Sequence, residues 1–402
     1  MSPCYIVLRT ATLPIFIKEY IITTSDLYPW HSITNSVGNV IGLGAYRSRE
    51  KFCGVSHLRD NDIPIRMFLG FYFVLGIVYA INIVPFHDSS QLPQPIDRNI
   101  YNNLFTYAHL IDISYCISRF GRIEEPFKCD LQCEETFPSV SLVYQWYFDD
   151  AVCGYVAITY SNIFNHSAPQ NSSDPKKTII VSLRGTRSIF DTITDTKIEM
   201  TPYYGGRNFL PYCGPYCKVH RGFYVVYRNT LSKIDRYLST ELEFENNYEL
   251  IFMGHSMGGS VALLLALHYL DLGWNNLSLV TMGQPLTGNK HFTQWVDLVM
   301  GSSNGNSRKF LRIIHKNDVV TTIPKSTSIW DTYQQFDNQI YLNCSSSVVE
   351  PSPDQVVDCY SADNEYCISG DFGPDYLWEP VDSLYENHNT YFRRLGMCGI
   401  SI

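Results

Sequence analysis

Residues Tyr248 to Leu267 read YELIFMGHSMGGSVALLLAL. An apolar run ends in Gly254-His255-Ser256-Met257-Gly258, and a second run dominated by Ala and Leu follows it. Tyr248 to Met253 has the length of a buried strand, and Ser256 to Leu270 that of a helix. Glycines at 254 and 258 remove side chains where a sharp turn would bring strand and helix backbones together. The turn would hold Ser256 in a strained conformation with its hydroxyl exposed. Beside it, the free N–H groups of a helix N-terminus favour negative charge. A G-x-S-x-G pattern means little alone and gains meaning from this strand–turn–helix context. Without it, a packing seam of small residues would serve as well.

The flanking segments extend the pattern. Arg98 to Phe120 carries Ile100, Leu104, Tyr107, Leu110, Ile111 and Ile113 near helical spacing. Gly154 to Thr159 and Thr178 to Leu183 are β-branched runs bounded by turn residues, hence strands. Phe223 to Leu242 reads as a long helix, and Leu277 to Met282 and Phe310 to His315 as further strands. Strands alternating with helices predict an α/β fold: a mostly parallel sheet with helices on both faces.

A serine hydroxyl is a poor nucleophile unless a histidine takes its proton and an acid orients that histidine. On an elbow of this kind the chain order is serine, acid, histidine. FLRIIHKNDVV puts Asp318 just past a strand end, although Asp331, Asp337 and later carboxylates compete with it. After Asp318 the chain contains a single histidine, His388. His255 and His315 then read as structural neighbours. The oxyanion needs preorganised N–H donors, each worth about 3 kcal/mol. One is the backbone N–H of Met257. The other is expected from the loop after the preceding strand, where Thr186 follows Arg184-Gly185. Apart from the serine motif, that loop would read as an ordinary turn with a surface arginine.

The 402 residues carry a net charge of −9, with 45% hydrophobic and 17% charged residues. This composition suits a globular chain, and the acidic balance argues against a nucleic-acid partner. Residues 67–84 lie in an uncharged run, MFLGFYFVLGIVYAINIVPF, whose 14-residue stretch Phe68–Ile81 suits a signal peptide. The whole run is long enough for a signal-anchor, and a buried core helix is the remaining reading. Residues 1–66, with seven Lys/Arg against five Asp/Glu, are an unassigned leader or a gene-model extension starting before Met67. Residues 85–97, with Pro85, Pro93 and Pro95, read as a linker into a single domain over 98–402. Ten of twelve cysteines follow the apolar run, as do sequons at Asn165, Asn171, Asn276 and Asn343. Both point to an oxidising, secretory compartment. Cys129/Cys133 and Cys213/Cys217 lack a matching histidine spacing for zinc, so neither metal nor cofactor is expected.

RGTRSIFDTITD (184–195), KVHRGFY (218–224), GHSMGGS (254–260), MGQPLTGNKHF (282–292), RIIHKNDVVTTIP (312–324) and ENHNTYF (386–392) occur in order. Together they resemble the class 3 lipases, in particular the secreted triacylglycerol lipases of yeasts and filamentous fungi. The resemblance covers roughly residues 98–402 and implies the α/β-hydrolase fold. It implies Ser256, Asp318 and His388 as the triad and Thr186 with Met257 as the oxyanion hole. Met257 departs from the family's usual Leu, where only the backbone N–H is required, and Gln284 replaces a frequent Ser or Thr. It also implies bridges Cys116–Cys398, Cys129–Cys133, Cys213–Cys217 and Cys359–Cys367, leaving Cys153 and Cys344 to pair or remain thiols. In such lipases the segment after the oxyanion residue is a lid. Here Ile189, Phe190 and Ile193 fall near one helical face, as they would on any amphipathic surface helix. The expected substrate is an acylglycerol or other lipid ester met at a lipid–water interface, without an obligate protein partner. A phospholipase A1, a feruloyl-type esterase and a silent lipid-binding protein are the alternatives.

Overall fold

The computed structural model describes residues 5–10, 18–23, 92–147, 152–164, 176–186, 198–243, 247–301, 308–325, 332–367 and 381–398. The apolar run at 67–84, the lid positions Ile189, Phe190 and Ile193, the sequons Asn165 and Asn171, and Asp331 lie outside them. The chain divides into two units, Met1–Val84 and Pro85–Ile402. In the first, β1 (Tyr5–Thr10) pairs antiparallel with β2 (Lys18–Thr23).

The second unit opens with β3 (Gln94–Pro95) and helix α1 (Arg98–Ile113), whose first turn is capped by the Asp97 carboxylate accepting from Asn99 N–H at 2.8 Å. Strands β4 (Ser141–Trp146), β5 (Gly154–Thr159) and β6 (Lys177–Leu183) follow, then the short β7 (Met200–Pro202) and β8 (Lys218–His220). Helix α2 (Arg221–Glu243), β9 (Tyr248–His255), α3 (Met257–Asp271), β10 (Leu277–Met282), α4 (Lys290–Met300) and β11 (Phe310–His315) alternate as the pattern requires. The unit closes with β12 (Gln339–Leu342), β13 (Val356–Asp358) and α5 (Val381–Asn389).

Nine strands form one sheet in the order β3-β13-β12-β11-β10-β9-β6-β5-β4. The five central strands β12 to β6 run parallel, and the strands at either flank are antiparallel. The central strand β9 shows why its middle, Leu250 to Met253, is apolar without a break. Leu250 and Phe252 pack on one face with Val261 and Leu264 of α3, and Ile251 and Met253 pack on the other with Leu104, Ala108 and Ile111 of α1. A strand covered on both faces cannot alternate polar with apolar.

Helix α1 is shorter than its periodicity suggests. It ends at Ile113, and a 3₁₀ turn, Ser114–Cys116, follows in place of a helix running to Phe120. Ile117 turns extended (φ −84°, ψ 114°), which carries Cys116 to the bridge with Cys398. All four expected bridges are formed: Cys116–Cys398, Cys129–Cys133, Cys213–Cys217 and Cys359–Cys367. Cys153 and Cys344 are buried and take part in none of these four bridges.

Candidate active site

The elbow takes the form its glycines demand. Ser256 sits between β9 and α3 at φ 56° and ψ −135°, a region costly to any residue with a Cβ. Its N–H donates to the Met282 carbonyl of β10 at 3.0 Å, and its carbonyl accepts from Gly259 N–H at 2.9 Å. A Cβ at Gly254 would lie 2.5 Å from the Gly258 carbonyl oxygen, and one at Gly258 would lie 2.6 Å from the Arg184 carbonyl oxygen. Strand, helix and the loop after β6 therefore approach backbone to backbone around the serine.

That loop meets the elbow directly. A Cβ on Gly185 would stand 2.7 Å from Ser256 Cβ, which places Gly185-Thr186 against the serine. Met257 N–H begins α3 on the other side, and its side chain is buried. Arg184 is no surface arginine: it is 0% exposed, with Nε donating to the Ile117 carbonyl at 3.1 Å and Nη1 to the Gly185 carbonyl at 2.9 Å. A buried guanidinium needs such acceptors to offset desolvation, and both of these hold the loop in place.

Asp318 follows β11 and is fully buried. Its carboxylate accepts from Val320 N–H at 3.0 Å, from the Tyr391 hydroxyl at 2.5 Å and from His388 Nδ1, which lies 3.0 Å from both oxygens. The carboxylate thereby keeps the His388 proton on Nδ1 and leaves Nε2 as the bare, accepting nitrogen. Nε2 is buried without a hydrogen-bond partner among the described residues. A buried acceptor left without a partner calls for an explanation, and a donor that arrives with a ligand is one. Asp337, a competitor in the sequence, is engaged elsewhere: its carboxylate accepts from Ala362 N–H at 2.8 Å and its N–H donates to Asp297.

Three neighbours, Tyr391, Gly283 and Tyr115, are absent from the sequence reading, which names a fourth, His255, only as a structural neighbour. Tyr391 donates to Asp318 and accepts from His315 N–H at 3.1 Å; burial, then the Asp318 charge, pushes its phenol well above the usual range. Gly283, at φ 60°, leaves room where a Cβ would meet His388 Cε1 at 2.9 Å and Asp318 Oδ2 at 3.1 Å. His255 lies ring against ring with His388, centroids 4.6 Å apart, and burial together with that neighbour holds its pKa well below the ordinary value. Tyr115 bonds to His255 Nδ1 at 2.5 Å. The ENHNTYF motif offered Tyr391 at three residues from His388, but only the folded chain shows what its hydroxyl touches. His315 faces away, with Nδ1 on the Lys316 carbonyl at 2.7 Å and Nε2 3.6 Å from Cys344 Sγ.

Arg312 lies fully buried beneath the site, donating to the carbonyls of Gln284 (2.7 Å) and Thr321 (3.0 Å). The Gln284 side chain fills the position left open in the sequence, accepting from Thr281 Oγ1 at 2.7 Å and donating to Thr287 Oγ1 at 2.8 Å. The sulfurs of Cys116, Cys129 and Cys398 lie within 4.8 Å of one another, but each is in a disulfide and offers no thiolate to a metal. Asn276 and Asn343 are exposed, as a glycan acceptor must be.

Residues 180–328 match the family model of the class 3 lipases. The chain is 30% identical over 354 residues to the secreted mono- and diacylglycerol lipase 2 of Gibberella zeae, covering 77% of this chain and 85% of the relative. It is 28% identical to lipase A of Sodiomyces alcalophilus over the same shares of each chain. Among solved structures it is similar to the Lip2 lipase of Yarrowia lipolytica, with TM-score 0.64, 30% identity, and coverage of 77% of this chain and 99% of that one.

Proposed function

The chain belongs to the class 3 lipase family and is a lipase, a serine ester hydrolase, and on that premise we propose that it cleaves acylglycerols through an acyl-enzyme on Ser256. His388 is the base and Asp318 its orienting acid. The observation that carries this reading is the buried Asp318–His388 pair, with Nδ1 bonded and Nε2 bare, beside a serine at a strained strand–helix junction.

Ser256 Oγ attacks the ester carbonyl as its proton passes to His388 Nε2, and the carbonyl π electrons move onto oxygen. The backbone N–H groups of Thr186 and Met257 receive the oxyanion. Collapse expels the glycerol oxygen, which takes the proton from Nε2. Water, deprotonated by the same nitrogen, then releases the fatty acid and restores the serine. Asp318 stays ionised and stabilises the imidazolium formed in each half.

Residues 188–200, with Ile189, Phe190 and Ile193, form the lid of this proposal. Each such side chain is worth ~1.5–3 kcal/mol when buried, so opening is unfavourable in water and favoured at a lipid surface. Secretion, with 67–84 as signal peptide or signal-anchor and 85–97 as linker, is supported by the four bridges and the secreted Gibberella relative. Among the described residues no helix is long and apolar enough to cross a membrane.

The test compares wild type with Ser256→Ala on emulsified triolein and diolein, phosphatidylcholine vesicles and methyl ferulate. Hydrolysis of the acylglycerols, steeper above substrate saturation than below it, is expected, with a loss of about 10⁵-fold or more in the alanine variant. Folded protein inert on all four substrates would overturn the reading. A preference for phosphatidylcholine or the ferulate would keep the chemistry and replace the substrate.

A further inference from the structure

Four segments far apart in sequence meet behind the reacting groups. Tyr115 lies in the turn after α1, Gly185 in the loop after β6, His255 at the end of β9, and His388 on α5. Gly185 N–H donates to Tyr115 Oη at 3.3 Å. The Tyr115 hydroxyl donates to His255 Nδ1 at 2.5 Å, and His255 Nε2–H donates to the His388 carbonyl at 2.9 Å. The bonds run in one sense, each hydroxyl or ring acting once as donor and once as acceptor. Tyr115 and His255 are 3% and 1% exposed, so water does not substitute for either partner.

We propose that Tyr115 and His255 are positioning residues, a buried relay that holds the oxyanion loop at Gly185-Thr186 in register with the backbone of the proton acceptor His388. The proposal rests on the hydrolase reading above and adds to it a residue pair that touches neither substrate nor the transferred proton. The loop must present N–H groups to the oxygen of the ester while His388 Nε2 faces the serine. A misplacement of about 1 Å between those elements can cost about 10²-fold in rate. The Tyr115 hydroxyl also dictates the His255 tautomer. With a donor facing Nδ1, the His255 proton sits on Nε2 and points at the 388 carbonyl. Without that hydroxyl the ring is free to carry its proton on Nδ1, and a bare Nε2 would then oppose a carbonyl oxygen. Burial keeps His255 neutral, so it does not oppose the charge that His388 acquires when it takes the serine proton.

The test uses the full chain and a dissolved short-chain ester, tributyrin below saturation, so that lid opening is not rate-limiting. Tyr115→Phe, folded by circular dichroism, is expected to lose tenfold or more in kcat with KM within twofold of wild type. A fluorophosphonate that labels the active serine should react more slowly by the same factor. His255→Gln, whose amide carries one acceptor and one donor, should retain several times the kcat of His255→Leu. If Tyr115→Phe keeps kcat within twofold, or if the Gln and Leu variants are equally impaired while both are folded, the relay is overturned and the hydrolase reading stands. A wild type inert to tributyrin and to the fluorophosphonate would sink both.

Discussion

The proposed nucleophile Ser256 and the proposed base His388 are held by unlike means. The serine stands between the central strand and its following helix, in a seam so close that three glycines leave no space for a methyl group. Its position follows from residues 248–267 and the sheet they belong to. The histidine stands on a nine-residue helix that adds no strand to the sheet. What holds it comes from elsewhere in the chain: the Cys116–Cys398 bridge, Arg393 Nε on Asp112 at 2.8 Å, Gly396 N–H on Asp112 at 2.9 Å, and Tyr391 on Asp318. On the proposed reading the nucleophile is thus fixed by local sterics and the base by long-range ties. Damage to the first should unfold the protein, whereas damage to the second should silence a protein that is still folded.

Removing the bridge is the largest blow to the tied side. Cys116→Ser with Cys398→Ser opens a loop closed over 282 residues, worth about 5 kcal/mol at most in chain entropy. Activity should vanish on warming before the far-ultraviolet signal of the sheet is lost. Coincident loss of both would erase the distinction between the two regions. Gly258→Ala strikes the other side. Its Cβ would be forced to within 2.6 Å of the Arg184 carbonyl oxygen and 2.7 Å of the Leu183 carbonyl oxygen. A destabilisation of about 3 kcal/mol is expected, with activity and structure lost together in thermal melts. A variant that melts like wild type yet is inactive would show that the seam is tuned for chemistry rather than packing.

The smallest effect is a matter of pH. His109 on α1 has its pKa lowered to about 4, first by burial and then by Arg393, against the Leu131 carbonyl 3.3 Å from Nε2. Between pH 6.5 and about 4 the unfolded chain binds this proton and the folded chain does not, so stability falls as pH falls through that window. The ring is partly exposed, so the loss should be about 1 kcal/mol or less. His109→Gln should flatten the pH dependence of thermal inactivation there, and an unchanged slope would remove His109 from the tied side.

The same contrast explains what could be read from residues alone. The buried parallel strands β10 (LSLVTM) and β11 (FLRIIH), mainly apolar, have the limits their composition suggests. So does the antiparallel β5, and the elbow helix starts one residue from its expected place. The strands β12 and β13 are four and three residues long, too short to show a period. Helix α5, VDSLYENHN, is too polar to announce itself and depends on partners nearly 300 residues away. For the proposed site, chain order alone singles out His388, while Asp318 and Asp337 differ in what they touch, Asp318 accepting from His388 and Asp337 from Ala362 N–H. Tyr115 and Gly283 matter through neighbours distant in sequence, and Tyr391, although it lies in the His388 motif, shows its part only through Asp318.

The Cys116–Cys398 bond also imposes an order in time. A chain made from its N-terminus exposes the first cysteine, the strands and the serine well before residues 388 and 398 leave the ribosome. Throughout that interval the proposed proton acceptor is missing, so a nascent intermediate lacks the base that the proposed ester attack requires. The last stretch to be synthesised is therefore the safety catch of the molecule.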